Sequence, residues 1–548
     1  MRHIVPADCH LCKLCGLLLM AGVVLGAWSC IKDPQDLSFG RQDASSDAID
    51  KTDAIAGIDA SDASSDADIA GCEPIDCLTV LGGCGQYASC GIQLDCGVCP
   101  DLARIELALD PQPRLHVGDS AQLRARYFSE DDHELAASAT LWESLDTELA
   151  TIDTDGKVSG LRSGRVTIRA TAGPIVEEIE VELYFALVSV HAGERHSCGL
   201  AVNGRAYCWG NNRDGQLGLG DGGPTEVLVP AAVSGNHRFQ AIDTGGAHTC
   251  ALELDGTLYC WGSNTFGQLG DFTTDTRAFP APVDSALKFT SLSTGLAFGC
   301  AIAESEVAYC WGRNATAQAG RDPSQFERER VLRPWRVGDG TLTFVQITAG
   351  HEAACARTDA GQVYCWGSTA DGKLGAGDSA QSYRLAPQPV TTDARFSHLT
   401  AGSHHFCAVA SQPAIGKLWC WGRNTAGQLG FEDSTARNVP SAASEVSATL
   451  LSVAAGGQHS CARTTDESVL CWGANDRGQL GVAPGPWSST GVAVELATRA
   501  SSVSAGGEHS CAIDDDGATF CWGFNATGQL GDATQINSEG KLVKVVYP

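Results

Sequence analysis

The sequence predicts an all-β protein whose larger part is a seven-bladed β-propeller, preceded by a β-sandwich and a small disulfide-rich module. Three observations predict the propeller: a motif recurs seven times at intervals of 50 to 55 residues, every copy holds two cysteines, and no repeat shows a helical hydrophobic period. The second cysteine of each copy precedes Trp-Gly, at Trp209, Trp261, Trp311, Trp366, Trp421, Trp472 and Trp522. Four short strands per copy are typical of a closed propeller with few exposed sheet edges.

The cysteine spacing predicts one disulfide in each blade. In six copies nine residues separate the cysteines, so a hairpin in which they face each other needs a loop of odd length. A three-residue loop places Gly204, Gly256, Gly361 and Gly517 third, where the turn requires a positive φ. Each pair then occupies a closely approaching, non-hydrogen-bonded position that suits a disulfide. The predicted bonds are Cys198–Cys208, Cys250–Cys260, Cys300–Cys310, Cys355–Cys365, Cys407–Cys420, Cys461–Cys471 and Cys511–Cys521.

Some copies depart from this scheme. The turns at 304–306 and 465–467 lack the glycine, and the fifth copy has a longer hairpin containing Pro413 and Gly416. Residues 542–547 supply the last strand, which we expect to pair with the first blade and close the ring.

The repeat pattern A-G-x-x-H-[ST]-C-A-L followed by Y-C-W-G-x-N-x-x-G-Q-L-G resembles the regulator of chromosome condensation repeat family, whose fold is a seven-bladed propeller. Phe298 and Ala353 replace the usual histidine, which predicts irregular local contacts in the third and fourth blades. For nuclear members of the family, the resemblance implies guanine-nucleotide exchange and chromatin binding.

Charge and cysteine content disfavour that role here. The chain has 37 basic and 65 acidic residues, a net charge of -28, which argues against binding nucleic acid or anionic membranes by bulk charge. Fourteen of its 24 cysteines lie at matching repeat positions, which indicates an oxidising compartment.

The N-terminal region indicates export. Residues 1–29 are similar to a lipoprotein signal peptide, with Cys30 as the lipidated residue; the alternative is an ordinary signal peptide cut near Ser29. Residues 30–71 form a linker rich in Asp, Ala and Ser, which favours a solvated spacer over a calcium site because the glycine and final glutamate of an EF-hand are missing.

Two further domains precede the propeller, which we place at 187–548. Residues 72–100 hold Cys72, Cys77, Cys84, Cys90, Cys96 and Cys99, which predict three disulfides of undetermined pairing, with a zinc site as the alternative. Residues 101–185 resemble a bacterial immunoglobulin-like group 2 domain, with Trp142 expected in its core and a stalk or adhesive role implied.

No catalytic residues, cofactor or metal site are predicted. The histidines at one repeat position, His196, His248, His405, His459 and His509, could form a metal ring, but we expect each to bond a backbone group of its own blade. The repeated tryptophans are expected to pack between blades rather than form a binding track.

The candidate partner-binding residues lie in two segments that vary among the repeats, Arg313 to Arg336 and Val482 to Trp487. They are Arg328, Arg330, Arg333, Trp335, Arg336 and Trp487; the alternative is a solvated connector.

Together these features predict a non-enzymatic binding protein. It would be an exported lipoprotein of the outer membrane or cell surface, whose propeller recognises a protein or a cell-envelope polymer; no nucleic acid is expected, and the lipid anchor is the expected membrane contact. The alternatives are an exported inhibitor of a secreted hydrolase, similar to β-lactamase-inhibiting propellers, a polysaccharide-active enzyme with converging carboxylates or histidines at one channel mouth, and a guanine-nucleotide exchange factor.

Overall fold

The computed structural model describes residues 86–89, 92–95, 102–110, 114–135, 140–325, 329–377 and 380–547. Strands dominate these ranges, and the helical elements within them are two short 3-10 helices, Pro323–Gln325 and Ala370–Gly372. No helix of the described residues is long and apolar enough to cross a membrane. The predicted all-β fold class is confirmed.

Seven four-stranded antiparallel sheets form the propeller, and each runs in chain order from the channel to the periphery. The inner strands are Leu187–Ala192, Phe239–Thr244, Phe289–Thr294, Gln346–Ala349, Arg395–Ala401, Leu450–Ala455 and Ala500–Ala505. The second strands are His196–Ala201, His248–Glu253, Phe298–Ala303, Ala353–Arg357, His405–Gln412, His459–Thr464 and His509–Asp514. The third strands are Ala206–Asn211, Leu258–Gly262, Ala308–Arg313, Val363–Ser368, Leu418–Gly422, Val469–Gly473 and Thr519–Gly523. The outer strands are Glu226–Ala232, Arg277–Pro282, Arg330–Arg336, Tyr383–Pro389, Arg437–Ala442, Ser488–Val494 and Val543–Lys544.

The turns between the second and third strands are those that the cysteine spacing predicts. Gly204 has a φ of 78°, and the two repeats without glycine use the same conformation, with Glu306 at 62° and Glu467 at 66°. The two cysteines of every blade lie directly opposite each other, with Cα atoms 4.0–4.2 Å apart and their sulfur atoms at bonding distance. The hairpin therefore places both cysteines inside the blade, fully buried.

The ring closes by packing between blade 7 and blade 1. Val543–Lys544 pairs with Thr519–Gly523 of its own blade, so the expected pairing of residues 542–547 with blade 1 is wrong. Each repeat begins at the channel and ends at the periphery, which puts the last strand on the outer edge of its own sheet. Trp209 of blade 1 packs instead against Leu530 and Val545 of blade 7.

A β-sandwich precedes the propeller. One sheet contains Arg114–His116, Leu141–Ser144, Gly164–Ala172 and Ile175–Tyr184, and the other contains Leu102–Asp110, Ser120–Ser129, Glu134–Leu135, Ala150–Ile152 and Lys157–Gly160. Leu123, Val158, Ile168 and Val181 are buried between the sheets, and Trp142 packs against this core. The alternation of buried and half-buried residues from Val166 to Ala172 is the pattern of a strand with one face on a core.

Residues 117–119, in a loop of the sandwich, contact the first two blades. Tyr207 donates its hydroxyl to the carbonyl of Val117 (3.2 Å), and Arg238 donates to the carboxylate of Asp119 (2.9 Å). Arg205 donates to the carbonyl of Gly118 between these two contacts.

Several predictions fall outside the described residues. These are the signal peptide at 1–29, lipidation of Cys30, the linker at 30–71 and the cysteines of the 72–100 module, in which the structure describes the hairpin of Gln86–Ser89 and Ile92–Asp95. They stay predictions, as do the domain boundaries.

Candidate functional site

A belt of glycines surrounds one end of the central channel. It comprises the glycine of the A-G-x-x-H pattern in each blade: Gly193, Gly245, Gly295, Gly350, Gly402, Gly456 and Gly506. Neighbouring blades hydrogen-bond along it, as Gly246 does to the carbonyl of Gly295 (3.3 Å) and Gly507 to that of Gly193 (2.9 Å). A Cβ built on Gly295 would lie 2.2 Å from the carbonyl oxygen of Gly350. The glycines are therefore required for close approach between blades.

Replacing a belt glycine should weaken the ring. We expect Gly295→Ala to lower the free energy of unfolding by about 2–4 kcal/mol, because a backbone carbonyl cannot move aside as a flexible side chain can. Urea denaturation measures the change. Gly485→Ala is the matched control: its Cβ would lie 3.8 Å from the nearest atom, and we expect a change within about 0.5 kcal/mol. Equal losses in the two variants would contradict this explanation.

The repeated histidines join neighbouring blades, so the expected bond to the backbone of their own blade is wrong. In four of the five, the Nε2 atom lies 2.8–3.0 Å from a hydroxyl oxygen of the next blade, in the pairs His196–Thr249, His405–Ser460, His459–Ser510 and His509–Ser197. His248 has no such partner among the described residues, because the next blade has Gly299 at the hydroxyl position. Ser197 in turn donates to the carbonyl of Gln529 (2.9 Å), in the blade that carries His509. Because the hydroxyl proton is used there, the imidazole donates to the hydroxyl oxygen through Nε2.

The repeated tryptophans complete these junctions. Trp209 donates its indole N–H to the same carbonyl of Gln529 (2.9 Å), and Trp472 does so to Gln428 (2.9 Å). All seven indoles are at most 1% exposed, which confirms that they pack between blades. The repeated histidine, hydroxyl and tryptophan positions thus form a junction between blades rather than a binding surface.

Burial makes the five junction histidines poor bases. Desolvation lowers the pKa of His196, His405 and His509 to about 3 and that of His248 and His459 to about 4. Each lies at a different blade junction, and no group of three or more His, Cys, Asp or Glu side chains among the described residues is arranged to hold a metal ion. These histidines are structural in this fold.

Three consecutive junctions lack the hydroxyl. Gly299, Ala354 and Phe406 take its place where blades 2 and 3, 3 and 4, and 4 and 5 meet, and Phe298 and Ala353 replace the histidine. Phe406 stacks on the indole of Trp421, with ring centroids 5.9 Å apart. The irregular contacts predicted for blades 3 and 4 correspond to this apolar arc of the ring.

The channel mouth beside the glycine belt holds a polar cluster that sequence reasoning missed. Glu194 of blade 1, His351 of blade 4 and Ser403 of blade 5 line a cavity of about 80 Å³. The carboxylate of Glu194 lies 3.7 Å from Nε2 of His351, which lowers the pKa of Glu194. The described lining thus has one carboxylate, whereas glycoside hydrolysis ordinarily uses two.

The predicted arginines lie on a strand rather than in a loop. Arg330, Arg333, Trp335 and Arg336 belong to the outer strand of blade 3, while Arg328 lies outside the described residues. Arg330 donates to the carbonyl of Thr265 in blade 2 (2.9 Å).

Aromatic side chains lie among these arginines. The guanidinium of Arg321 lies 4.2 Å from the ring centroid of Trp335, and that of Arg333 lies 5.5 Å from the ring of Phe272. Trp335 is 41% exposed and Phe272 61%. We call Phe272, Arg321, Arg330, Arg333 and Trp335 the arginine–aromatic surface.

Trp487 belongs to a different part of the ring. It precedes the outer strand of blade 6, three blades from Trp335, and packs against Gly427 at the corner of blade 5. Leu332 covers Gly267 in the same way between blades 3 and 2. Trp487 is therefore a junction residue that remains 42% exposed, and the two predicted segments do not form one site.

Fold and junctions define the class of protein: a seven-bladed propeller whose blades are joined by a repeated histidine, hydroxyl and indole arrangement, with a β-sandwich in front of it. Residues 203–252 and 255–302, and also 187–216 and 239–268, match the Regulator of chromosome condensation (RCC1) repeat, and residues 288–546 match the RCC1-like domain. The chain belongs to the regulator of chromosome condensation repeat family. Residues 108–181 match the Bacterial Ig-like domain (group 2).

The chain is similar to several known proteins over about half of its length. It is 30% identical to the Ultraviolet-B receptor UVR8 of Arabidopsis thaliana over 298 residues, which covers 54% of this chain and 66% of the receptor. It is 36% identical to the human Probable E3 ubiquitin-protein ligase HERC4 over 281 residues, or 50% of this chain and 26% of that protein.

Solved structures show the same fold. Human WBSCR16 superimposes with a TM-score of 0.56 at 24% identity, covering 63% of this chain and 94% of that one. Yeast RCC1 (Prp20), solved with Kap60, gives 0.55 at 22% identity, covering 66% and 85%.

Proposed function

We propose that the propeller is a binding head that recognises an acidic partner protein through the arginine–aromatic surface of blades 2 and 3. The observation that carries the proposal is the pairing of two exposed rings with two guanidinium groups, in which Trp335 and Arg333 lie on one regular strand. Arg333 lies over Phe272 and Arg321 over Trp335, so both rings are held in place by neighbours while part of each face stays accessible.

The chemistry of this surface suits protein recognition. Tryptophan and arginine are enriched among residues that dominate interface energies, and a side chain on a strand loses less conformational freedom on binding than one on a loop. Three arginines lie together here, and burial and the charge of Arg333 both lower the pKa of Arg321. An acidic partner would relieve this repulsion.

The relatives support a binding role. Among solved propellers of this fold, yeast RCC1 binds Kap60, and Prp20p of Saccharomyces cerevisiae binds Gsp1p and histones. For this chain we propose a partner outside the cytoplasm, with a lipid anchor at Cys30, the linker at 30–71 as a spacer and no catalytic activity. The seven disulfides support that location because such bonds persist in oxidising compartments.

Affinity capture with the full chain tests the proposal. Against envelope proteins of the source organism, we expect Trp335→Ala and Arg333→Glu to reduce the captured partner at least about tenfold, the loss of a binding hot spot. Trp487→Ala is the control, since that indole is equally exposed but three blades away. Equal capture by wild type and Trp335→Ala would refute the proposed surface. Capture of a hydrolase whose activity is abolished would favour the inhibitor hypothesis.

A further inference from the structure

A cleft opens between blades 4 and 5 on the side of the hairpin turns, at the opposite end of the inner strands from the glycine belt. Its volume is about 500 Å³, and Arg357, Asp359, Arg395, Ser411 and Gln412 are among the residues that line it. A cleft of this size accommodates a molecule as large as a monosaccharide.

Arg395 occupies a position that is basic in four blades. It immediately precedes the first apolar residue of the inner strand, as Arg238, Lys288 and Arg499 do in blades 2, 3 and 7. Each of these three residues pairs with a carboxylate at 2.7–3.3 Å, in the pairs Arg238–Asp119, Lys288–Asp255 and Arg499–Glu467. In two cases the acid belongs to the hairpin turn of the preceding blade.

The corresponding acid is missing beside Arg395. The preceding turn is Asp359-Ala360-Gly361, which has Ala360 where blade 2 has Asp255. Arg395 donates instead to the carbonyls of Asp393 (3.1 Å) and Ala394 (3.2 Å), and no carboxylate of the described residues lies within 4.0 Å of it. Its positive charge is therefore held in position without a counter-ion.

Arg357 adds a second guanidinium to the cleft. Five blades have an apolar residue at this position, such as Leu252 and Val409. Arg357 donates to the amide oxygen of Gln346 (3.2 Å) and to the carbonyl of Thr358 (3.3 Å), both neutral acceptors. Asp359 is the acidic side chain in the described lining, and it forms no ion pair within 4.0 Å with either guanidinium. Burial lowers the pKa of Arg357, and the charge of Asp359 offsets part of that effect.

The longer hairpin of blade 5 builds one wall of the cleft. The second strand there runs from His405 to Gln412, and its cysteines are 13 residues apart rather than 10. The extra residues place Ser411 and Gln412 beside the two arginines, where a hydroxyl and an amide can donate hydrogen bonds. The insertion thus adds polar groups to a site that the other blades lack.

We infer that this cleft binds a small ligand bearing an oxyanion, a carboxylate or a phosphate, on a molecule of sugar size. Guanidinium groups match the geometry of both anions, and charge-assisted hydrogen bonds to them are stronger than neutral ones. The site lies on blades 4 and 5, apart from the arginine–aromatic surface of blades 2 and 3. The inference therefore does not depend on the proposed function.

Isothermal titration of the full chain with galacturonate, galactose 6-phosphate and neutral galactose tests the inference. We expect millimolar or tighter binding of at least one anion and at least about tenfold weaker binding of galactose. Arg395→Gln should weaken binding of the anion at least about tenfold. Ala360→Asp should also weaken binding of the anion at least about tenfold, because the new carboxylate would pair with Arg395 as Asp255 pairs with Lys288. Ala360 is an exposed turn residue, so the substitution should not disturb the fold.

Arg499→Gln is the matched control, since that arginine holds the same position but already has Glu467 as its partner. It should bind the anion as the wild type does. Which anion binds identifies the ligand as a sugar acid or a sugar phosphate. Failure of both anions to bind, equal binding of galactose, or unchanged binding in Ala360→Asp would each overturn the inference.

Discussion

Reduction of the propeller disulfides is expected to remove about 3 kcal/mol of stability per bond, and reduction of all seven to unfold the propeller. Each bond closes a loop between residues 10 or 13 positions apart, which restricts the unfolded chain. The sum, about 20 kcal/mol, exceeds the total of about 5–15 kcal/mol that stabilises an ordinary domain. Guanidinium denaturation of oxidised and reduced protein measures the difference.

The cysteines are fully buried, so the bonds must be reduced in denaturant before refolding is attempted. The double variant Cys355→Ala and Cys365→Ala is the control for a single bond and should lose about 2–4 kcal/mol while staying folded. A reduced protein that refolds with an unchanged midpoint would contradict the prediction. It would also remove the main support for an oxidising compartment.

The sequence predicts the parts of this fold that depend on short separations. A spacing of nine residues between cysteines determines both the turn and the opposed pair. Gly204 and Gly256 support the same turn, because its third residue has a positive φ that favours glycine. Glu306 and Glu467 show the limit of this approach, because they adopt the same positive φ without the residue that signals it.

Contacts between blades could not be predicted in the same way. The partner of His509 is Ser197, at the other end of the repeat array, and Glu194 meets His351 across the channel. The belt glycines do not lie at positive-φ turn positions, so no local signal identifies them. They are glycines because a carbonyl of the next blade leaves no room for a side chain. Arg330 to Arg336 form the outer strand of their blade after a connection of 16 residues, against 14 in five other blades, and a difference this small does not distinguish an inserted loop from a strand.

The missing carboxylate beside Arg395 shows how a comparison of the repeats with one another can indicate a functional site. Comparison within one chain shows a basic residue that keeps its place but has lost its acid, while Lys288 and Arg499 keep theirs. Such a difference is visible in the sequence once the structure shows which positions pair. The scaffold is repetitive, and the chemistry lies where one repeat breaks the pattern.

Lowering the pH from 7 to 5 is expected to destabilise the propeller by about 2 kcal/mol for each buried junction histidine, and so by up to about 10 kcal/mol for the five. Burial lowers the pKa of these groups in the folded state to about 3 or 4, from 6.5. The unfolded chain therefore binds protons that the folded chain does not. The stability is present above pH 6.5 and is lost as the pH falls towards the folded values.

Urea denaturation at several pH values measures this slope, in a range above that in which the carboxylates titrate. His248→Phe provides the matched variant, because Phe298 occupies the same position in blade 3 and the next blade offers Gly299 rather than a hydroxyl. It should reduce the slope by about 1.4 kcal/mol per pH unit. A slope that is unchanged in this variant would mean that His248 gains a proton without unfolding, and the junctions would then be open to water rather than dry.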